Sequence, residues 1–264
     1  MAYKTIDYQV NDGIAKIFLM RPDQLNAVNS LMSKELPKMW KRFNEDTTAI
    51  VAIISGFGDK SFCVGADLAD LPDMDGEAGL ASLESIKWTS LQNNIWKPVI
   101  CAVNGMACGG GLHFVADSDV VIASDNATFF DTHVKVGLVA GLEPVSLSRK
   151  IPLESVLRMS LIGGGEKLDA NEAKNIGLIS EIVNQENLMT RAMEIANKIK
   201  IHSPSALAKT KKAIWQSKDT GLNDALKNAW HLISEQQIHP DFEEGAKAFI
   251  EKRSPKWKPY NSNE

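Results

Sequence analysis

The chain has few of the features that mark a secreted, membrane-spanning or metal-binding protein. It contains only three cysteines among 264 residues, and an odd number does not make a disulfide framework. No apolar run reaches the roughly 18 residues that span a bilayer, and the N-terminus has no cleavable hydrophobic segment. Metal-ligand spacing of the His-Glu-x-x-His kind is absent. We therefore predict buried, reduced thiols at Cys63, Cys101 and Cys108, no metal, and a cytoplasmic protein.

A strong excess of charge of one sign is also missing. The formal net charge is −4, with 23% charged and 44% hydrophobic residues, which is the balance of an ordinary soluble globular protein. This composition gives no reason to expect nucleic acid or an anionic membrane as a partner. The length suffices for one large domain or two small ones with a sizeable core.

What the chain does have is a glycine-rich turn between a predicted strand and a predicted helix. Residues 98–103 are apolar and rich in β-branched side chains, Gly109–Gly111 follow, and a short helix is predicted over residues 109–116. Backbone N–H groups at a helix start favour a negative oxygen. Close packing of helix on strand also selects glycine, so this turn alone leaves both interpretations open. Neither glycine pattern of nucleotide-binding loops is present here.

A second turn of similar kind follows another predicted strand. Residues 50–56 are a buried-strand pattern, and a polar loop then leads to Gly65 and Ala66. Two strand-then-glycine turns can each direct one N–H group at the same oxygen atom. Two converging donors are what an oxyanion hole requires, and we predict the N–H groups of Ala66 and Gly110 as that pair.

Three segments in this order resemble the crotonase (enoyl-CoA hydratase/isomerase) superfamily: Arg-Pro-Asp-Gln-Leu-Asn-Ala-Val at residues 21–28, Phe-Cys-Val-Gly-Ala-Asp-Leu at 62–68 and Asn-Gly-Met-Ala-Cys-Gly-Gly-Gly at 104–111. The match continues through residues 168–173 to 249–253, nearly the whole chain. The resemblance implies an α/β fold, the crotonase (ClpP/crotonase-like) spiral of ββα turns with a C-terminal helical trimerisation region. We expect residues 1–200 to form the core with the acyl-CoA site, and 201–264 the helical region of a homotrimer or homohexamer.

The hydrophobic pattern gives a coarse map of the elements. A hairpin over residues 6–20 should turn at 11–13, and Asn29 or Ser30 should cap the next helix. Alternating strands and helices, including strands at 118–124 and from 127, predict a core of parallel strands. A mobile loop is predicted at 72–82, followed by a helix near 83–96. Further helices are predicted at 153–161, 169–175, 186–199, 204–216, 221–236 and 240–252.

The resemblance also implies where coenzyme A would bind, as part of the substrate and not as a permanently bound cofactor. The loop at 21–28 and the turn near 66–68 would cradle it, mostly through backbone groups. Phe249 and Lys252 would approach the coenzyme A of a neighbouring subunit, although Lys252 also fits an ordinary charged helix end. The predicted binding residues are Gln24, Leu25, Ala27, Val64, Asp67, Leu68, Phe249 and Lys252.

The chain departs from its family at the residues that carry the chemistry. Enoyl-CoA hydratases carry two glutamates that position water and exchange its protons, and the matching positions here hold His113 and His133. Imidazole gives or takes a proton near neutral pH, so we predict a joint acid/base role. The alternative for each is a hydrogen-bonded histidine that fills space. We interpret the other histidines as surface or interface residues: His202, His231 and His239.

Glu143 is the third candidate catalytic residue. It could orient His133 or act as the base itself, or it could be a solvated residue in the first turn of a helix, where negative charge is favoured. Asp131 and Asp67 are weaker candidates, and a structural cap is the simpler interpretation of Asp67.

Three functions are consistent with these residues. The first is an enoyl-CoA hydratase-like lyase that acts on an acyl-CoA thioester through an oxyanion-stabilised enolate. The second is isomerisation, or hydrolytic cleavage of a C–C bond in a β-dicarbonyl compound, for which histidines with a carboxylate suit water activation. The third is a non-catalytic acyl-CoA-binding paralogue. Fold alone does not decide among them.

Overall fold

The computed structural model describes residues 3–72 and 86–262. Ten strands alternate with helices along these residues. In chain order the strands are β1 (Ile6–Asn11), β2 (Ile14–Leu19), β3 (Val51–Gly56), β4 (Ser61–Cys63), β5 (Val99–Val103), β6 (Met106–Cys108), β7 (Val120–Ser124), β8 (Thr128–Phe130), β9 (Leu168–Asp169) and β10 (Glu181–Val183). The helices are α1 (Ser30–Glu45), α2 (Leu112–Ala116), α3 (Leu142–Leu147), α4 (Leu153–Ile162), α5 (Ala170–Asn175), α6 (Leu188–Ile199), α7 (Pro204–Gln216), α8 (Leu222–Gln237) and α9 (Pro240–Ile250).

The strands form two sheets that the chain visits alternately. The larger sheet has the order β1-β2-β3-β5-β7-β10 and the smaller one β4-β6-β8-β9. Neighbours from β2 to β10 in the larger sheet are parallel, as are β4, β6 and β8 in the smaller. Each of β3, β5 and β7 is thus followed by a short strand of the other sheet. This repeated step is the predicted spiral with a parallel core.

Local sequence explains the first elements. The hairpin turns at Asp12 and Gly13, which both have positive φ angles of 48° and 79°, as a tight two-residue turn requires. Asn29 caps α1 by accepting a hydrogen bond from the Met32 N–H at 2.9 Å. The predicted hairpin is confirmed, and of the two candidate caps Asn29 is the one used.

Both faces of the larger sheet are covered, as expected for parallel strands. On one face, Ile53, Ile100 and Ile122 pack against α6 through Leu188 and Ala192. The other face forms the main core, which includes the buried side of α1 and the strands of the smaller sheet. The site described below lies at the ends of β4 and β6, where the chain leaves this smaller sheet.

The three thiols lie in this core. Cys63, Cys101 and Cys108 are all free and buried, as predicted. Burial raises the pKa of Cys63 to about 12. It also raises the pKa of Cys101 and of Cys108 above the ordinary thiol value. These thiols are therefore protonated and unreactive while the core is closed.

The predicted helix near 83–96 is wrong over its described part. Residues 86–96 contain only the 3₁₀ turn Leu91–Asn93, which ends at Asn94 with φ 55°. The Gln92 side chain accepts the N–H groups of Trp88 and Thr89, so these donors are satisfied without a helix. The predicted loop at 72–82 lies outside the described residues apart from Pro72, which is buried.

The six helices predicted after residue 152 are present, with small shifts at their ends. The start of α5 is set by a capping box between Asp169 and Glu172, and α6 begins at Leu188 after the 3₁₀ turn Gln185–Asn187. Lys211 of α7 is buried and forms an ion pair at 2.9 Å with Asp119, which directly precedes β7. The boundary at residue 200 stays a prediction. No helix among the described residues is long and apolar enough to cross a bilayer.

Candidate active site

The two glycine turns meet in the structure. Val28 and Ala66 form an isolated parallel bridge that joins the 21–28 loop to the turn after β4. A methyl group placed on Gly65, where φ is +90°, would lie 2.8 Å from the Gly110 nitrogen. One placed on Gly110 would lie 3.5 Å from the Ala66 nitrogen. The predicted pair of N–H groups is therefore brought together, and glycine is required at 65 for this approach.

Both N–H groups are available to a ligand. The bridge uses the Gly65 carbonyl and the Asp67 N–H, each bonded to Val28, so the Ala66 N–H is directed to the other side of the strand. Gly110 is the second residue of the 3₁₀ turn Gly109–Gly111, whose first donors have no acceptor inside the turn. Among the described residues, neither the Ala66 N–H nor the Gly110 N–H donates a backbone hydrogen bond in a loop or turn.

Glu143 lies between the two candidate histidines. Its Oε1 is 3.1 Å from His113 Nε2 and 4.0 Å from His133 Nε2. Its residue exposure is 6% and that of His113 is 3%. Glu143 does occupy the first turn of a helix, α3, but the alternative of a solvated residue is wrong because its side chain is buried and contacts His113.

Asp131 holds His133 from the other side. The Asp131 carboxylate, which has no exposed surface, lies 3.0 Å from His133 Nδ1 and accepts the His133 backbone N–H at 2.8 Å. A carboxylate at Nδ1 places a ring proton there and leaves Nε2 facing Glu143. The sequence analysis ranked Asp131 below Glu143, although the Asp-x-His spacing was the available signal.

The electrostatics of the pair follow from these contacts. The hydrogen bond to Asp131 and the nearby charge of Glu143 raise the pKa of His133 above its ordinary value of 6.5, against the effect of burial. For Glu143, burial opposes ionisation, but the hydrogen bond with His113 and the nearby charge of His133 help to lower its pKa below 4.5. Near neutral pH, Glu143 is an anion beside an imidazole that readily holds a proton.

The histidines adjoin the glycine turn at residues 109–111. A methyl group on Gly109 would lie 3.6 Å from His133 Cε1, and one on Gly110 would lie 2.9 Å from Trp88 Cζ3. The Trp88 ring meets His113 edge to face, with 5.8 Å between ring centroids. The candidate acid/base groups and the two N–H groups are thus parts of one site, with the Trp88 ring lining one side of it.

Trp88 and Gln92 were not predicted as site residues from the sequence. Gln92 Nε2 lies 3.2 Å from His113 Nδ1. Both residues fall in the segment predicted to be a helix, and no motif marks them.

The predicted coenzyme A loops are adjacent, and they are tied by Arg21. Its guanidinium contacts Asp67 at 2.8 Å and donates to the Ala27 carbonyl at 2.6 Å. The Asp67 carboxylate also accepts the Ala69 N–H, which is the structural capping role considered for it. Contacts of these loops with coenzyme A stay predictions: Gln24, Leu25, Ala27, Val64, Asp67 and Leu68.

Asn26 fixes the same loop from inside. Its buried side chain donates to the Phe57 and Ser61 carbonyls, each at 3.0 Å, and accepts the Arg21 N–H at 3.0 Å, with φ at +57°. Asn26→Ala should lower the free energy of unfolding by about 2–4 kcal/mol. It leaves the buried backbone partners of Asn26 without a hydrogen bond and puts alanine at a positive φ angle. Asn29→Ala, which removes only a helix cap, should cost about 1 kcal/mol. Urea denaturation measures both, and equal losses would contradict this account.

The two C-terminal residues predicted to approach coenzyme A, Phe249 and Lys252, lie at the end of α9. Phe249 is 87% exposed, and Lys252 follows the helix with φ 53°. Their approach to the coenzyme A of another subunit stays a prediction.

Among the described residues, no group of three or more His, Cys, Asp or Glu side chains is arranged to hold a metal ion.

Comparison with known proteins agrees with this geometry. Residues 9–260 match the family model described as enoyl-CoA hydratase/isomerase. The chain belongs to the enoyl-CoA hydratase/isomerase family. Membership of this family confirms the crotonase resemblance, and an acyl-CoA thioester as substrate is consistent with it.

Relatives of this family member cover nearly its full length. It is 34% identical over 251 residues to (E)-benzylidenesuccinyl-CoA hydratase of Thauera aromatica, covering 95% of this chain and 97% of that one. It is 34% identical to a short-chain-enoyl-CoA hydratase of Clostridium acetobutylicum, covering 91% and 92%. A solved enoyl-CoA hydratase/isomerase of Mycobacterium paratuberculosis superposes with a TM-score of 0.91 at 37% identity, covering 97% and 99%. The crotonase fold is therefore shown.

Proposed function

We propose that this enzyme reversibly adds water to the double bond of an enoyl-CoA, with Glu143 and His133 as its acid/base pair. The observation that carries the proposal is the buried Glu143 carboxylate beside His133, next to the paired N–H groups of Ala66 and Gly110. Relatives named as hydratases of CoA thioesters support it.

The geometry accommodates a balanced reaction. The N–H groups of Ala66 and Gly110 hold the thioester oxygen as it gains negative charge. Ionised Glu143 takes a proton from water while the water oxygen bonds to the β-carbon, and protonated His133 gives its proton to the α-carbon. Glu143 then returns its proton to His133 through a bridging water molecule, because their 4.0 Å separation is too long for direct transfer. The net change is addition of one water molecule.

This mechanism sets the pH profile. His133 must be protonated, so activity falls as pH rises through its pKa, which lies above 6.5. Glu143 must be ionised, so activity falls again only below its pKa, which lies under 4.5. Asp131→Asn removes the first cause of the raised pKa and should move the alkaline limb of kcat/KM to lower pH. An alkaline limb that stays in place would contradict the assignment of His133.

A second candidate function is hydrolysis of a C–C bond in a β-dicarbonyl compound. The Asp131–His133 contact of 3.0 Å favours it, because a carboxylate-oriented imidazole is the arrangement that activates water as a nucleophile. The same oxyanion pair would hold the tetrahedral adduct. Double-bond isomerisation would use the enolate alone and needs no water.

Absorbance at the conjugated enoyl-thioester band distinguishes the hydratase from the C–C hydrolase and from a non-catalytic paralogue. Crotonyl-CoA and a longer or branched enoyl-CoA should lose this absorbance with the wild-type enzyme, and about 10²-fold more slowly with His133→Ala. No change with any enoyl-CoA would overturn the hydratase proposal. Turnover of a cyclic β-diketone would then indicate the hydrolase, and binding of acyl-CoA without any turnover would indicate a non-catalytic paralogue.

We also propose that α8 is covered by another copy of the chain, as the trimer or hexamer prediction requires. Leu222, Leu226, Trp230 and Ile233 are large apolar residues on α8 and all are exposed, Trp230 to 63%, which is unusual for a free surface. Leu226→Glu with Trp230→Glu should reduce the mass in light scattering to that of one chain, 28.9 kDa. Asn228→Glu, on the same helix outside this stripe, should leave the mass unchanged. A wild-type mass of one chain would contradict the proposal.

A further inference from the structure

Gln92 is held at both ends of its side-chain amide. Its Oε1 accepts the backbone N–H of Trp88 at 2.8 Å and that of Thr89 at 3.1 Å. Its Nε2 lies 3.2 Å from His113 Nδ1. These three contacts fix the side chain between the 3₁₀ turn and the helix that carries His113.

The backbone decides which way this amide is oriented. Peptide N–H groups can only donate, so the amide oxygen must face them, and a flipped amide would place an NH₂ group against two donors. Gln92 Nε2 therefore donates to His113 Nδ1. A ring nitrogen that accepts a hydrogen bond carries no proton, so neutral His113 has its proton on Nε2. That Nε2 is 3.1 Å from Glu143 Oε1 and donates to it.

We propose that Gln92 is a positioning residue that keeps His113 neutral and protonated on Nε2, so that Glu143 is oriented by a donor that adds no positive charge beside it. A second proton on Nδ1 would face the Gln92 amide donor, lose a hydrogen bond and be opposed by it. An anion held this way is a stronger base than one paired with an imidazolium ion. The effect on catalysis rests on the proposed function; the state of His113 does not.

The other groups around His113 agree with this assignment. Asp117 follows the same helix, and burial raises the pKa of its carboxyl group, which accepts the Thr89 hydroxyl at 2.7 Å. It therefore attracts a proton to itself more than an ordinary aspartate does. The Trp88 ring packs against His113 in an edge-to-face arrangement and carries no charge. His133 lies on the far side of Glu143, so its positive charge also disfavours a second proton on His113.

Gln92→Glu tests the proposal with little change of shape. It keeps acceptor oxygens for the Trp88 and Thr89 N–H groups but replaces the donor to His113 by an acceptor. We expect His113 to take a proton on both nitrogens, kcat to fall about 10- to 100-fold, the size of one altered charged hydrogen bond, and KM to change little. Asn94→Asp adds the same charge two residues away at an exposed position and should change neither His113 nor kcat.

Two-bond proton–nitrogen correlation spectra of the histidine rings report the state of His113 directly, with His113→Gln used to assign its signals. The wild-type protein should show a protonated Nε2 and a bare Nδ1, a result that does not depend on any variant folding. A wild-type proton on Nδ1, or an unchanged His113 spectrum in folded Gln92→Glu, would overturn the proposal. If the spectra behave as expected but no enoyl-CoA turns over, the His113 assignment is supported and the proposed function fails.

Discussion

Glu143→Gln should lower kcat by about 10²- to 10⁴-fold, the largest effect we expect from an acid/base residue of this site. The amide has the shape of the carboxylate and still accepts from His113 Nε2, now 3.1 Å from Glu143 Oε1. What it loses is the ability to take a proton from water. Acyl-CoA binding, measured by calorimetry with a saturated thioester, should be nearly unchanged.

A matched control separates this loss from a general effect of removing a negative charge. Glu154 also lies in the first turn of a helix, α4, but it is exposed, and Glu154→Gln should keep wild-type kcat. If Glu143→Gln retained kcat within about threefold, the carboxylate would not be the base. The base would then have to be sought in His133 with Asp131, which is the hydrolytic arrangement.

Gly110→Pro should lower kcat by about 10²- to 10³-fold, because it removes one of the two N–H donors of the oxyanion pair. This loss should appear with any thioester, whichever acid/base groups act. It should appear mainly in kcat, since the donor interacts most strongly with the charge that develops in the transition state.

Gly110→Ala is the control for the added bulk. Its methyl group would meet Trp88 Cζ3 at 2.9 Å, just as a proline ring atom would, but its N–H remains. The residue before the substitution is Gly109, whose φ of +49° already demands glycine. Far-UV circular dichroism and thermal unfolding establish that both variants fold. A folded proline variant as active as the alanine variant would disprove the oxyanion assignment.

Much of the framework was predictable because it depends on neighbours in sequence. Asp12-Gly13 requires a tight turn, Asn29 offers a side-chain cap, and the glycines at 65 and 109–111 permit two backbones to approach. These are local requirements of φ angle or hydrogen bonding. The parallel core follows from alternating strand and helix patterns.

The interior of the site was less predictable, because its contacts join distant segments. Glu143 precedes Pro144 at a helix start, a pattern typical of a solvated residue, and only the tertiary fold brings His113 over it. The segment with Trp88 and Gln92 has helical apolar spacing, yet a side chain that accepts two backbone N–H groups replaces the helix. The proposed proton positions on His113 depend on the Gln92 side chain, and these two residues are 21 positions apart in sequence.

The reactivity of the buried thiols reports local opening of the site. Cys63 ends β4 and Cys108 ends β6, so each thiol lies just before one of the two turns that carry the proposed oxyanion donors. Because both are enclosed, an alkylating reagent modifies them only when these strand ends part. The rate of alkylation of Cys63 and Cys108, measured by mass spectrometry, therefore reports how often these strand ends separate. A tightly bound thioester should slow this alkylation.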